Sequence, residues 1–168
     1  MSHRCITAPL VALLVPAALA AQAPPASAPA SQVIVAHAAS LSWAAGPPSL
    51  PAGAEFVVLE GNPAEAMPLT LRLRFPANYR IPAHWHSVIE HVTVLAGTLN
   101  VGMGERATYT GGTALNAGSF AAMPAKMVHS AWAGPEGVTL QLHSIGPWSI
   151  TYVNAADDPR TKTSAGHE

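Results

Sequence analysis

Cysteine is nearly absent from this chain of 168 residues: the single one is Cys5, close to the start. An internal disulfide is excluded, and no thiol ligand or nucleophile exists beyond that position. Charge is scarce too, at 10% of residues, with eight Lys and Arg against nine Asp and Glu. No basic patch tracks a phosphate backbone, which removes nucleic acid from the partners. Also missing is a sustained apolar period of 3.6 residues, so a helical bundle is not expected.

The one apolar run of note lies at the start. "MSHRCITAPLVALLVPAALA" carries Arg4, an apolar stretch from Ile6 to Leu19 and a small-residue cleavage site at Ala18-Leu19-Ala20. That is the pattern of a secretory signal peptide over residues 1–20. A membrane anchor is the rival, but the run is short for a span of about 20 residues and contains Pro9 and Pro16. Cleavage removes His3, Arg4 and Cys5 and leaves a formal charge of 7 − 9 = −2. Cys5 precedes the apolar run instead of following it as a lipid-anchored cysteine would. A soluble periplasmic or secreted protein, free of the membrane after cleavage, is therefore expected.

Residues 21–54 read as a Pro/Ala-rich tether followed by one short strand candidate, Val33 to Ala38, and a proline-rich connection. From residue 55 to 153 the texture changes. "EFVVLEG", "MPLTLRLRF", "IEHVTVLAG", "TLNVGMG", "ATYT", "SFAAMPA", "MVHSAWA" and "VTLQLHSIG" are short β-prone segments divided by Gly, Pro and Asn. They predict an all-β domain of at least eight strands, a sandwich or a barrel, because closing a sheet is a common way to deal with its edges. In "LTLRLRF" the alternation places Leu69, Leu71, Leu73 and Phe75 inward. Ser149 to Val153 is a possible last strand, and residues 154–168 form a polar C-terminal tail.

Candidate chemistry concentrates in "IPAHWHSVIEHVTVLAG", Ile81 to Gly97. His84 and His86 are two apart, so on a strand both imidazoles point to one face and Trp85 to the other. Glu90 lies about 13 Å further along a straight strand, so sharing an ion with His86 requires a bend across Ser87 to Ile89. After that bend, Glu90 joins Val92 and Val94 on one face, a buried carboxylate that a cation would compensate. His91 points the other way. His129, in an apolar segment behind Pro124, is either a fourth ligand or a hydrogen-bonded core histidine. Three imidazoles and a carboxylate form a mixed N/O set suited to Mn, Fe, Ni, Co or Zn.

These positions resemble the two-part signature of the cupin superfamily. The first motif runs G-x5-H-x-H-x3,4-E-x6-G, and Asn78, His84, His86, Glu90 and Gly97 occupy its positions, with Asn78 in place of the first glycine. The second runs G-x5-P-x-G-x2-H-x3-N, matched by Gly118, Pro124 and His129, with Lys126 and Ala133 replacing the second glycine and the asparagine. Lys126 implies either a turn without positive φ or a reshaped turn. The resemblance implies a double-stranded β-helix, a jelly-roll barrel of the cupin type. A divalent metal would be held by His84, His86, Glu90 and His129, and a homodimer is the common assembly.

His143 and Gln141 share one strand face in "TLQLHSIG". If that face is inward they are candidate catalytic residues beside the metal; if outward they are solvated. Trp85, Trp132 and Trp148 read as packing. A net positive ion site attracts an anionic or chelating oxygen, so the expected protein is a metalloenzyme acting on a small oxygen-bearing molecule. Oxygenase, lyase and isomerase chemistry all remain open. The alternative is an exported cupin that binds a small ligand, or serves a structural role, without catalysis.

Overall fold

The computed structural model describes residues 33–162, so the signal-peptide segment 1–20, nearly all of the tether and the end of the tail lie outside the described residues. Nine strands follow in chain order: β1 Ala44–Ala45, β2 Glu55–Glu60, β3 Pro68–Phe75, β4 Arg80–His86, β5 Glu90–Met103, β6 Thr113–Asn116, β7 Phe120–Met123, β8 His129–Ile145 and β9 Ile150–Tyr152. Among the described residues no helix is long and apolar enough to cross a membrane.

Alternation in β3 sets the inner face. Leu69, Leu71, Leu73 and Phe75 are buried, and each is paired in unbroken antiparallel register with β8. Across that ladder Leu71 meets Leu142 and Leu73 meets Leu140, while β5 brings Val92 and Val94 to the other side of the same β8 residues. The core is thus a stack of period-2 faces, stabilised by burial of branched side chains at about 25 cal/mol per Å².

Two pairs of predicted segments are single strands. "IEHVTVLAG" and "TLNVGMG" join as β5, and "MVHSAWA" and "VTLQLHSIG" join as β8. The glycines between them bend the strands instead of ending them. Gly97 has φ +73°, and a Cβ there would lie 2.1 Å from the carbonyl oxygen of Gly137, so only glycine lets β5 and β8 cross this closely. The β5–β8 register shifts on either side of it. "ATYT" forms no strand, nor does Val33 to Ala38, whose Val33, Ile34 and Val35 are exposed and which leads into a 3-10 turn at Ala38–Ser40.

The expected closed jelly-roll barrel is not formed. The strands make one strongly curled sheet in the order β1-β2-β3-β8-β4-β9, with β5 pairing β8 and carrying β6 and β7. This cupin-like half-barrel stays open by a gap of 16 Å. Its terminal strands are only two and three residues long. Between β1 and β2 the chain carries Pro47, Pro48 and Pro51, which have no N–H to donate to a ladder. Tyrosine hydroxyls fasten that loop instead: Tyr152 donates to the carbonyl of Ser49 at 2.8 Å, and Tyr79 to that of Pro51.

Leu69 has no exposed surface, so Leu69→Ala is expected to cost about 2–5 kcal/mol. Urea unfolding checks this; a loss below ~1 kcal/mol would show that the β3–β8 face is not the centre of the core.

Candidate metal centre

β4 delivers two of the histidines and the start of β8 the third. His84 pairs with His129 across the β4–β8 ladder, and His86 lies two residues further on β4. Beyond His86 the chain turns at Ser87–Ile89 before β5 begins at Glu90, the bend that Glu90 requires. The second motif is tied to the first by a bond from the N–H of Lys126 to the carbonyl of His86, 2.7 Å. Lys126 and Asn78 both adopt left-handed backbone, at φ +63° and +59°, so the turn keeps the glycine conformation although a side chain is present.

The three imidazoles are buried, and one ring nitrogen from each lies within 4.8 Å of the other two. Every Nδ1 meets a backbone carbonyl: His84 that of Pro82 at 2.6 Å, His86 that of Ser149 at 2.8 Å, and His129 that of Met127 at 3.1 Å. A carbonyl only accepts, so each Nδ1 carries the proton and each Nε2 presents a lone pair to the interior. Glu90 adds two more acceptors, Oε1 at 3.5 Å from His86 Nε2 and Oε2 at 3.9 Å from His129 Nε2. Lone pairs thus converge with no donor among them, an arrangement that a cation satisfies. Ligands on an ion with bonds of about 2.1 Å stand about 3–4 Å apart, which these spacings approach.

Electrostatics agree with neutral imidazoles. Burial holds His84 well below the usual histidine range, reinforced by the neighbouring His129 and His86. Burial also lowers His86 to about 4 and lowers His129, the latter against the opposing pull of Glu90. Glu90 is pushed up to about 7 by burial, while His129 and the indole of Trp148 favour its charged form. The close contacts of Glu90 with His86 and His129 are therefore not ion pairs at neutral pH. They are acceptor pairs that need a proton or a metal between them.

Other predicted positions fall elsewhere. His91 stacks on Phe120 and His143 on the far side of β5, with centroids 5.8 and 6.3 Å away. Gln141 and His143, candidates only if their strand face were inward, lie on the outer face of β8 and not toward the cluster. Leu140 and Leu142 take the inner parity of β8, so Gln141 accepts from Arg72 Nε at 3.2 Å and His143 Nδ1 lies 3.0 Å from the Thr70 hydroxyl on the outer face. The single-residue parity of a strand admits no compromise.

Trp148, which the sequence places among packing tryptophans with contact to a ligand as the lesser alternative, lines the site. Its ring stacks on His86 at 5.1 Å between centroids. The indole N–H is buried without a hydrogen-bond acceptor, near enough to Glu90 to favour its charge but outside bonding geometry. The only sequence signal was "GPW" next to the last strand, which names a turn and not a site. The remaining walls are apolar, among them Ile81, Val92, Leu140 and Leu142, around a cavity of about 40 Å³.

Family comparison agrees with this geometry. The model of the ChrR cupin-like domain family matches residues 31–148, and the chain belongs to that family. No curated protein matches. Among solved structures, the polyketide cyclase RemF from Streptomyces resistomycificus superposes with a TM-score of 0.60 at 15% identity, covering 79% of this chain and 94% of that one. An acetylacetone dioxygenase from Acinetobacter johnsonii gives 0.59 at 14%, covering 82% and 87%. KdgF from a Halomonas species gives 0.50 at 18%, covering 66% and 91%. At these identities the likeness is one of fold. The protein is a cupin with a buried three-histidine cluster able to chelate a divalent transition metal.

The shifts at Glu90 and His86 act on stability with opposite signs in the metal-free protein. Glu90, raised from 4.5 to about 7, contributes stability below pH 4.5 that is lost as pH rises to 7. His86, lowered from 6.5 to about 4, contributes stability above pH 6.5 that is lost as pH falls towards 4. Glu90→Gln removes the first effect. Stripped of metal, that variant is expected to gain stability with pH more steeply than the wild type, by about 2–3 kcal/mol between pH 4.5 and 7. Urea titrations across this range measure it, and parallel slopes would show that Glu90 titrates as an ordinary carboxylate.

Proposed function

We propose that the protein is a metal-dependent enzyme that transforms a small oxygen-bearing molecule by direct coordination, as a dioxygenase or as a lyase or isomerase. The observation that carries this is the convergence of three Nε2 lone pairs, beside the Glu90 carboxyl, with no N–H donor among them. His84, His86 and His129 would hold the ion, and Glu90 would be the fourth ligand. When bound, a divalent ion supplies positive charge that stabilises an anionic or chelating oxygen.

The chain's own groups supply the rest. Neutral imidazoles leave a net positive charge at the centre. Before an ion binds, burial places Glu90 near 7, so its carboxyl holds a proton that the arriving ion would displace. The apolar walls exclude bulk water and strengthen each charge interaction. Tyr152, though 6.0 Å from His84 between ring centroids, donates its hydroxyl to Ser49 and is held well above the usual phenol range by burial, so it is not a second base. An enolisable diketone, of the kind one structural neighbour is named for, presents both an acidic C–H and a chelating oxygen pair.

A non-catalytic metal-binding role is the second reading, favoured by the small apolar cavity. Export and a homodimer remain part of the proposal. The N-terminal apolar pattern supports export, and the exposed Leu95 and Phe120 on the outer sheet face support a second copy.

His86→Ala is expected to lower bound metal at least tenfold in elemental analysis of untagged protein. Chelation should lower the melting temperature of the wild type on the order of 5–10 °C and leave that of the variant unmoved. Unchanged metal content would defeat the ligand assignment. Oxygen uptake by the iron-loaded protein given an enolisable diketone distinguishes oxygenation; substrate loss without uptake indicates lyase or isomerase chemistry, and binding without turnover the non-catalytic role.

A further inference from the structure

The cavity at the metal centre, about 40 Å³, has room for a few water-sized groups. A substrate larger than that must extend beyond it. Next to it lies a second cleft of about 490 Å³. The two spaces share Leu73, Trp148 and Ile150 as a common wall.

The position of this cleft follows from the open sheet. Phe56 and Val58 of β2 line one flank, and Ser149 with Ile150 at the start of β9 line the other. These strands lie toward opposite ends of the sheet order, so the cleft occupies the seam that a closed barrel would not have. Its walls are mainly apolar, with Pro47, Phe56, Val58, Pro63 and Leu71. The cationic group there, Arg160, is engaged by Asp158 and by the carbonyl of Ile150.

Trp148 stands between the two spaces. Its backbone N–H donates to the carbonyl of Pro63 at 2.8 Å, and the next carbonyl, that of Ser149, holds His86 Nδ1. The indole is thus fixed from both sides, stacked on a metal-site histidine, with a buried N–H that lies near Glu90 but forms no hydrogen bond of normal geometry. A buried donor without a well-formed bond is uncommon, and an oxygen brought by a ligand beside Glu90 would complete this one.

We propose that the seam between β2 and β9 is the substrate port, that it receives the apolar body, aryl or branched alkyl, of a molecule whose oxygen head reaches the metal centre, and that Trp148 donates its indole N–H to that head. This rests on the metal-dependent function proposed above. A cavity of about 150 Å³ accepts benzene, so the cleft takes a substituted ring. Its lining favours an uncharged body, and the chemical class is an aryl or alkyl compound with two neighbouring or 1,3-related oxygens.

Two hydroxamates with the same chelating head test this on cobalt-loaded protein, followed by the visible spectrum of the metal. Benzohydroxamate is expected to bind at least tenfold more tightly than acetohydroxamate. Val58→Asp, which places a charge in the cleft, should reduce that ratio below threefold, and Pro63→Asp in the facing loop provides an independent check should the first variant fold poorly. Trp148→Phe keeps the ring and removes the donor, so it should weaken both hydroxamates three- to tenfold. Equal affinities in the wild type, or an aryl preference that survives both charged variants, would overturn the port; unchanged affinities in Trp148→Phe would overturn the donor. If neither hydroxamate alters the cobalt spectrum, the open metal centre itself fails, and this inference with it.

Discussion

The bonds from Nδ1 of His84, His86 and His129 to the carbonyls of Pro82, Ser149 and Met127 orient each imidazole and set its tautomer. Much of the surrounding structure keeps those carbonyls in place. Two of them come from the residue two positions earlier on the same segment, so a strand with one face inward supplies them locally. The third comes from a segment 63 residues away, which β9 pins against β4 through His84↔Tyr152 and His86↔Ile150. Without that pairing, His86 would lose its acceptor and its orientation.

Burial then converts orientation into chemistry. In an apolar cup, charged imidazolium is disfavoured and so is a lone carboxylate. Without a metal, the result is a set of neutral imidazoles beside a carboxyl that burial raises to about 7. In water the same residues would titrate separately near their ordinary values. Leu140, Leu142, Val92 and Ile81 thus contribute to function through the dielectric they impose, and not only through the core they fill.

The incomplete curl of the sheet serves the same centre. Prolines in the connection between β1 and β2 withhold the donors that another ladder would need, and tyrosine hydroxyls anchor that loop by its carbonyls. The core remains buried because Leu50 reaches into it from the loop. What in a closed barrel would be a sealed wall becomes a seam lined by side chains from separate strands, with Trp148 at its inner limit.

Period-2 alternation placed Leu69, Leu71, Leu73 and Phe75 inward and put His84 and His86 on one face, because both depend on short-range geometry that a strand repeats; His129 and Glu90 were legible beside them through the motif spacing. The bend before Glu90 was legible for the same reason: a carboxylate at strand distance cannot reach. Strand continuity through Gly97 was not legible, since a glycine that ends a strand and one that bends it look alike until a neighbouring backbone approaches. Nor was the parity of Gln141 and His143, which depends on how β8 passes its bend near Gly137. By itself, then, the sequence determined an all-β cupin domain and the three histidines of a cluster able to chelate a metal. Only the tertiary structure decided that the sheet stays open, which carbonyls set the imidazoles and where Trp148 stands, because those depend on contacts between segments tens of residues apart.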